Sequence, residues 1–251
     1  MRTAAFISIR DKSTRFPGKV MKKIHDQAAA AHLIDRVKTT KRPDLVVMTT
    51  STNPDDDSLV ALAKQKNIAA FRGDEKDKLK RYVDAADEFD IDFFCVVDGD
   101  DLFNDAETLD RIIDEFVTRQ GDYIICDHLP VGVTSFGVRT EAMRKVLETK
   151  AEDDTEVWGG YFTKTGMFDV RLLEPLDASH KRPDLRMTLD YPEDLRFFEA
   201  VFDALYVPGK VFPFSEIMKL LNERPQIAAI NQGVQKLYEE GLRSAAPVRL
   251  K

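Results

Sequence analysis

The 251-residue chain is poor in the features that mark several large protein classes. It has two cysteines, Cys95 and Cys126, each inside an apolar strand-like run, so they read as reduced core residues and not as a disulfide framework. No apolar stretch approaches the ~18 residues a transmembrane helix needs. No secretory pattern precedes the first strand-like segment, so a soluble cytoplasmic protein is expected. Positive charge is in deficit: the formal net charge is -7, which argues against general affinity for nucleic acid or an anionic membrane. There is no Gly-x-Gly-x-x-Gly after the first strand. Gly18-Lys19 lacks the upstream glycine of a P-loop and is followed by Val20 where a serine or threonine would hold magnesium. The four histidines, His25, His32, His128 and His180, have no zinc-site spacing, and no nucleophile elbow is present. Repeats, low-complexity tracts and a domain-splitting linker are absent too.

What is present is a rhythm. Residues 4–9 read as a strand and 27–38 as a helix, then 45–48 as a strand. Asn53 as N-cap, Pro54 and the acids Asp55, Asp56 and Asp57 open the next helix, so capping accounts for that acidic triplet better than a metal cluster does. Strands at 68–71, 92–97 and 122–126 alternate with helices over 76–88 and 105–119. This alternation predicts an α/β fold with a doubly wound, mostly parallel sheet. After residue 127 the rhythm breaks. A strand-like stretch 131–139, a helix near 140–149 and the segment 153–160 suggest a lobe over 127–184 laid on the sheet. Residues 185–189 return as a strand, a helix runs from Tyr191-Pro192 to about 205, and helices near 215–222 and 231–242 close a single domain over 1–251.

The densest chemistry lies in Arg10-Asp11-Lys12-Ser13-Thr14-Arg15-Phe16-Pro17-Gly18-Lys19, at the end of the first strand. Four cations and two hydroxyls crowd a loop that Pro17-Gly18 turns, in the place where α/β sheets bind nucleotides. Arginine forks match phosphate oxygens in pairs, and lysine adds a mobile point charge. A second signal is Val96-Val97-Asp98-Gly99-Asp100-Asp101, where an apolar strand stops at three carboxylates. Asn104 and Asp105 are better placed to cap the helix that follows, which leaves the earlier acids for magnesium. A third is Thr188-Leu189-Asp190-Tyr191-Pro192-Glu193-Asp194-Leu195, which brings Asp190 out of a strand before a proline-led helix.

Together these elements resemble the cytidylyltransferases that activate acidic sugars, notably 3-deoxy-manno-octulosonate cytidylyltransferase, and most closely the spore-coat polysaccharide cytidylyltransferase-like proteins. Five elements of this chain carry the resemblance: Arg10 with Ser13 to Arg15 and Pro17 to Lys19; Thr50 to Asp57; Phe71-Arg72-Gly73 with Arg81-Tyr82; Gly99-Asp100; and Asp190 with Pro192 to Leu195. The resemblance implies a Rossmann-like sheet of the nucleotide-diphospho-sugar transferase type and transfer of CMP from CTP to an acidic sugar or sugar phosphate, with pyrophosphate released and Mg2+ required. It assigns Arg10, Ser13, Thr14, Arg15 and Lys19 to the triphosphate, Ser51, Arg72, Gly73 and Gly99 to the nucleotide, and Asp100 and Asp190 to the metal. It also implies a homodimer. Beside Gly159-Gly160, Trp158, Tyr161 and Phe162 read as an exposed platform at the acceptor pocket or the subunit interface; Asp127 and His128, after a strand end, are candidate acceptor-site residues, His128 as a general base or a structural histidine. Lys12, Asp11 and Asp101-Leu102 depart from the family pattern. Three alternatives stay open: a nucleotide-sugar-dependent glycosyltransferase using Asp98-Gly99-Asp100, the same chemistry with GTP or a phosphonate acceptor, and a catalytically silent nucleotide-binding paralogue.

Overall fold

The computed structural model describes residues 1–13, 15–152, 157–237, 240 and 248–251. The chain runs through β1 (Thr3–Ser8), a hairpin of β2 (Lys23–Ile24) and β3 (Gln27–Ala28), α1 (Ala29–Val37), β4 (Leu45–Ser51), α2 (Asp57–Gln65) and β5 (Ala69–Gly73). There follow α3 (Lys78–Glu88), β6 (Phe93–Asp98), α4 (Ala106–Arg119), β7 (Tyr123–Cys126), β8 (Phe136–Arg139) and α5 (Thr140–Thr149). The last elements are α6 (Gly160–Thr163), β9 (Val170–Leu173), α7 (Pro192–Leu205), α8 (Phe214–Glu223) and α9 (Pro225–Ala228).

Among the described residues, seven strands form the main sheet in the order β5-β4-β1-β6-β8-β7-β9. All pairings are parallel except those of β8, which runs antiparallel to both neighbours. The mostly parallel α/β sheet is thus as expected. Its central strands are apolar on both faces because helices cover both. On one face Ala5, Ile7, Cys95 and Val97 pack against α1, α2 and α4. On the other, Ala4, Phe6, Phe94 and Val96 pack against α3 and α5. Each fully buried phenylalanine of these layers contributes roughly 2–3 kcal/mol of transfer free energy. A third cluster joins α7, α8 and α9 to Phe103, Met187 and Leu189 beside the strand ends.

The second half departs from the sequence expectations in four places. First, β8 and β9 both belong to the main sheet, so 127–184 is not a layer laid over it. Secondly, the strand expected at 185–189 is an extended segment that touches Val131 at one bridge, through Arg186. Gly132, at φ 88°, brings its Cα against the Met187 backbone, where any Cβ would come within 2.4 Å of the Met187 carbonyl oxygen. Thirdly, the helix expected over 231–242 opens with a 3-10 turn, Gln232–Val234, and is α-helical at 235–237 and 240, while 238, 239, 241 and 242 lie outside the described residues.

The fourth departure concerns the aromatic platform. Trp158, Tyr161 and Phe162 are buried, at 5%, 4% and 1% exposure. Phe162 stacks on Tyr123 at 4.8 Å, and Trp158 meets Tyr82, Tyr123 and Phe136 edge-on. Removing three large rings from water outweighs presenting them for an acceptor or a second subunit. They are core residues, and the support they offered for a dimer goes with them. Residues 153–156 of the same segment lie outside the described residues.

Candidate active site

The site forms where β1 and β6 end side by side. The Gly99 amide donates to the Ser8 carbonyl at 2.8 Å, and a Cβ on Gly99 would sit 2.5 Å from Ile9. Glycine is needed there so that the two loops can touch. From Ile9 the chain enters the cationic loop, and Gly18, at φ 66°, turns it into the short 3-10 segment Lys19–Met21. That turn drives the Lys19 side chain inward to 10% exposure. Asp190 arrives by a different route, ninety positions after Asp100. The Leu189 amide donates to the Asp100 carbonyl at 2.9 Å, sewing the two acidic segments together.

Lys19 Nζ lies 2.6 Å from Asp100 Oδ2 and 3.0 Å from Asp190 Oδ1. One ammonium bridges two carboxylates, one just past the end of β6 and one just before α7. Arg15 Nη2 donates to the same Asp190 oxygen at 2.8 Å, and Arg186 Nη2 to its other oxygen at 3.0 Å. Burial opposes the Lys19 charge, but Asp100 and Asp190 outweigh it and raise its pKa. Burial likewise opposes the Asp100 charge, and Lys19 overcomes it and holds Asp100 below the usual carboxylate range. Asp101, 7% exposed, behaves oppositely: burial, then the charges of Asp100 and Asp98, push its pKa well up. The departure at position 101 therefore places an acid of raised pKa next to Asp100.

Two residues that sequence reasoning missed hold this arrangement. Arg186 grips Asp194 with Nε and Nη2 at 2.9 and 3.0 Å, while Asp194 accepts the amides of Asp190 and Tyr191 at the start of α7. A lone cation in the apolar run Leu185–Leu189 was the available signal. Lys78 Nζ donates to Asp98 Oδ1 at 2.8 Å. Its signal was a lysine in the first turn of a helix, where the dipole disfavours a cation.

The other expected residues are placed as follows. Arg10 Nη1 donates to the Glu75 carbonyl at 2.7 Å, and Lys12 pairs with the Glu75 carboxylate at 3.1 Å, so both cations rim the same edge. The Ser13 hydroxyl accepts the Phe16 amide at 3.3 Å and shapes the loop. Thr14 lies outside the described residues. The Ser51 hydroxyl is committed to Asp56 at 2.5 Å, and the Asp11 amide donates to Asp56 at 2.8 Å. Asp56, 1% exposed, therefore clamps two site loops together, a role beyond the capping expected of the triplet. Arg72 spends its donors on the Ser51 and Asn53 carbonyls and on Asp57, at 2.9, 2.7 and 2.6 Å, and so fixes the 51–57 loop. Gly73 leaves room for Phe71 and Arg81, whose side chains a Cβ would approach within 2.8 and 2.9 Å. Behind them the Tyr82 hydroxyl donates to Ser8 Oγ at 2.7 Å. Asp105, as expected, caps α4 through the Thr108 amide. Asp127 and His128 sit exposed beyond β7, with His128 at φ 63°.

Among the described residues no group of three or more His, Cys, Asp or Glu side chains is arranged to hold a metal alone. Magnesium bound together with substrate phosphates needs only one or two carboxylates. Asp100 and Asp190 are close enough to face one cation between them, since the Lys19 ammonium lies within hydrogen-bond distance of both.

Residues 4–235 match the family model described as Cytidylyltransferase. This chain belongs to the cytidylyltransferase family. As a cytidylyltransferase it is a CTP-dependent nucleotidyltransferase. It is similar to the spore coat polysaccharide biosynthesis protein SpsF of Bacillus subtilis, with 27% identity over 88% of this chain and 95% of that protein. Its fold resembles a cytidylyltransferase from Leptospira borgpetersenii, with a TM-score of 0.83, 22% identity, and coverage of 91% of this chain and 97% of that one. It also resembles a CMP:2-keto-3-deoxy-manno-octonic acid synthetase complexed with CTP, with a TM-score of 0.64, 10% identity, and coverage of 81% and 99%. Among the described residues of this cytidylyltransferase, no helix is long and apolar enough to cross a membrane.

Proposed function

We propose that this cytidylyltransferase transfers CMP from CTP to an acidic sugar or sugar phosphate, with magnesium required and pyrophosphate released. The observation that carries the reading is the Lys19 ammonium bridging Asp100 and Asp190, with Arg15 on the same carboxylate. An acceptor oxygen attacks the α-phosphorus and a new P–O bond forms. The bond to the α–β bridging oxygen breaks, and its electron pair leaves with pyrophosphate. Arg10, Arg15 and Lys19 bind the triphosphate and face the charge that grows on the leaving group, where preorganised donors lower the barrier most. The loop fixed by Arg72 and Asp56 forms the side toward base and ribose. Asp100 and Asp190 would hold magnesium, which supplies Lewis-acid charge neutralisation at the phosphates. The buried free thiols of Cys95 and Cys126 suit a reducing cytoplasm.

The test is a pyrophosphate-release screen of four nucleotides against acidic sugars, sugar 1-phosphates and phosphonates, with and without magnesium. CTP with one acceptor class should release pyrophosphate, and chelation should stop it. Turnover of a nucleotide sugar without pyrophosphate release from CTP would instead favour the glycosyltransferase, whose Asp-x-Asp pair would have to draw Asp98 away from Lys78.

A further inference from the structure

A cavity of about 310 Å³ lies between α1 and the end of α7, and it shares no residue with the site at the strand ends. Its unusual group is Arg36. The residue is only 5% exposed, and its guanidinium lies 5.1 Å from the Phe212 ring centre and 5.7 Å from that of Phe103. None of its N–H groups meets a hydrogen-bond acceptor among the described residues. The nitrogens are not sealed in the core, since they reach the cavity wall. The other deeply buried arginines differ: Arg81 donates to the Asp74 carbonyl and Arg186 to Asp194. Burial pushes the Arg36 pKa down to about 10, with only Asp105 opposing, so the group stays charged at neutral pH. A desolvated cation whose opposing charge, Asp105, is hydrogen-bonded to Thr108 and not to it remains costly, and a planar fork of donors over a cavity suits an oxyanion.

The nearby carboxylates do not meet this need. Asp35, on the cavity wall, is engaged by Lys66 at 2.6 Å and by Gln27 at 3.1 Å. Asp26 accepts the Tyr206 hydroxyl at 2.5 Å. Lys38 and Lys210 stand exposed on the wall and add positive charge. Phe202, Tyr206 and Phe212 supply an apolar floor. The volume falls at the lower end of the small-ligand range.

We propose that this cavity binds a small oxyanion-bearing ligand, a phosphorylated or carboxylated metabolite whose head meets Arg36 and Lys210 and whose ring or chain lies on Phe202, Tyr206 and Phe212. The proposal does not depend on the reaction assigned to the strand-end site. The test uses the full chain labelled with 15N and 13C, following the Arg36 side-chain Nε–H resonance while phenyl phosphate or benzoate is added at constant ionic strength. The expected result is a saturable shift with a dissociation constant of about 1 mM or tighter for one of the two, which also separates a phosphate head from a carboxylate. Lys210→Glu, an exposed substitution that should leave folding and basal turnover unchanged, should weaken that binding about tenfold. Arg36→Lys, which keeps the charge and loses the fork, should weaken it further, as read from the backbone amide shifts of α1. An Arg36 resonance that ignores both probes, or a shift that chloride reproduces and Lys210→Glu leaves untouched, overturns the proposal.

Discussion

Lys19→Met separates the two things Lys19 does. Methionine is unbranched and flexible enough to occupy the lysine's channel, so the perturbation removes charge more than volume. Two carboxylates then face each other without the cation that lies 2.6 and 3.0 Å from them. Removing one partner of a buried ion pair costs about 3–5 kcal/mol when the other is left alone. Here neither acid is left alone. Asp190 keeps Arg15 and Arg186, and Asp100, whose side chain is 25% exposed, keeps the field of Lys78. A stability loss of about 1–2 kcal/mol is therefore expected, read as a lower urea midpoint at unchanged slope. Turnover should fall much further. A preorganised charge contact to the developing leaving group is worth about 3 kcal/mol, on the order of a hundredfold in kcat. The Michaelis constant for CTP should rise as well, because the uncompensated acids repel the triphosphate. Pyrophosphate release under varied CTP measures both. Wild-type kcat/KM in a folded Lys19→Met protein would refute the placement of the triphosphate at this loop.

Gly99→Ala should destabilise the protein by roughly 1–3 kcal/mol and lower turnover together, because its Cβ would lie 2.5 Å from Ile9 and force the β1 and β6 loops apart; paired denaturation and activity measurements check it. Trp158→Ala should cost about 3–5 kcal/mol in chemical unfolding, as expected of a ring only 5% exposed, whereas a surface platform would show little change. His32 gives a pH signature. Burial, only partly offset by its contact to the Ile24 carbonyl, lowers its pKa, so the unfolded chain takes up the proton first as pH falls. Its contribution to stability is complete above about pH 6.5 and is lost as pH drops from there through the lower folded value. Urea midpoints at pH 7.5 and 5.5 should show that loss, and His32→Gln should flatten it.

Most of the first half of the fold was legible because its elements carry their own signals; the β2–β3 hairpin was not, and its second strand takes Gln27 and Ala28 from the helix expected over 27–38. Apolar runs at 4–9 and 92–97 match strands buried on both faces, and Asn53-Pro54 and Asp105 announce their helices through local capping. The cationic loop and the Asp100 and Asp190 segments stood out because charge beside an apolar run has few structural reasons to be there, and the structure brings the three together. Pairing across distance was not legible. That β8 runs antiparallel between β6 and β7, and that β9 closes the sheet, depends on which edge the chain meets when it returns, and four-residue strands say nothing about that. Trp158, Tyr161 and Phe162 were misread because a ring beside two glycines has the same sequence whether solvent or Tyr123 covers it. Lys19 was expected to contact phosphate alone. Only the tertiary structure brings Asp100 and Asp190 to one ammonium, since that meeting depends on a Gly99–Ile9 contact and a backbone hydrogen bond between residues about ninety positions apart.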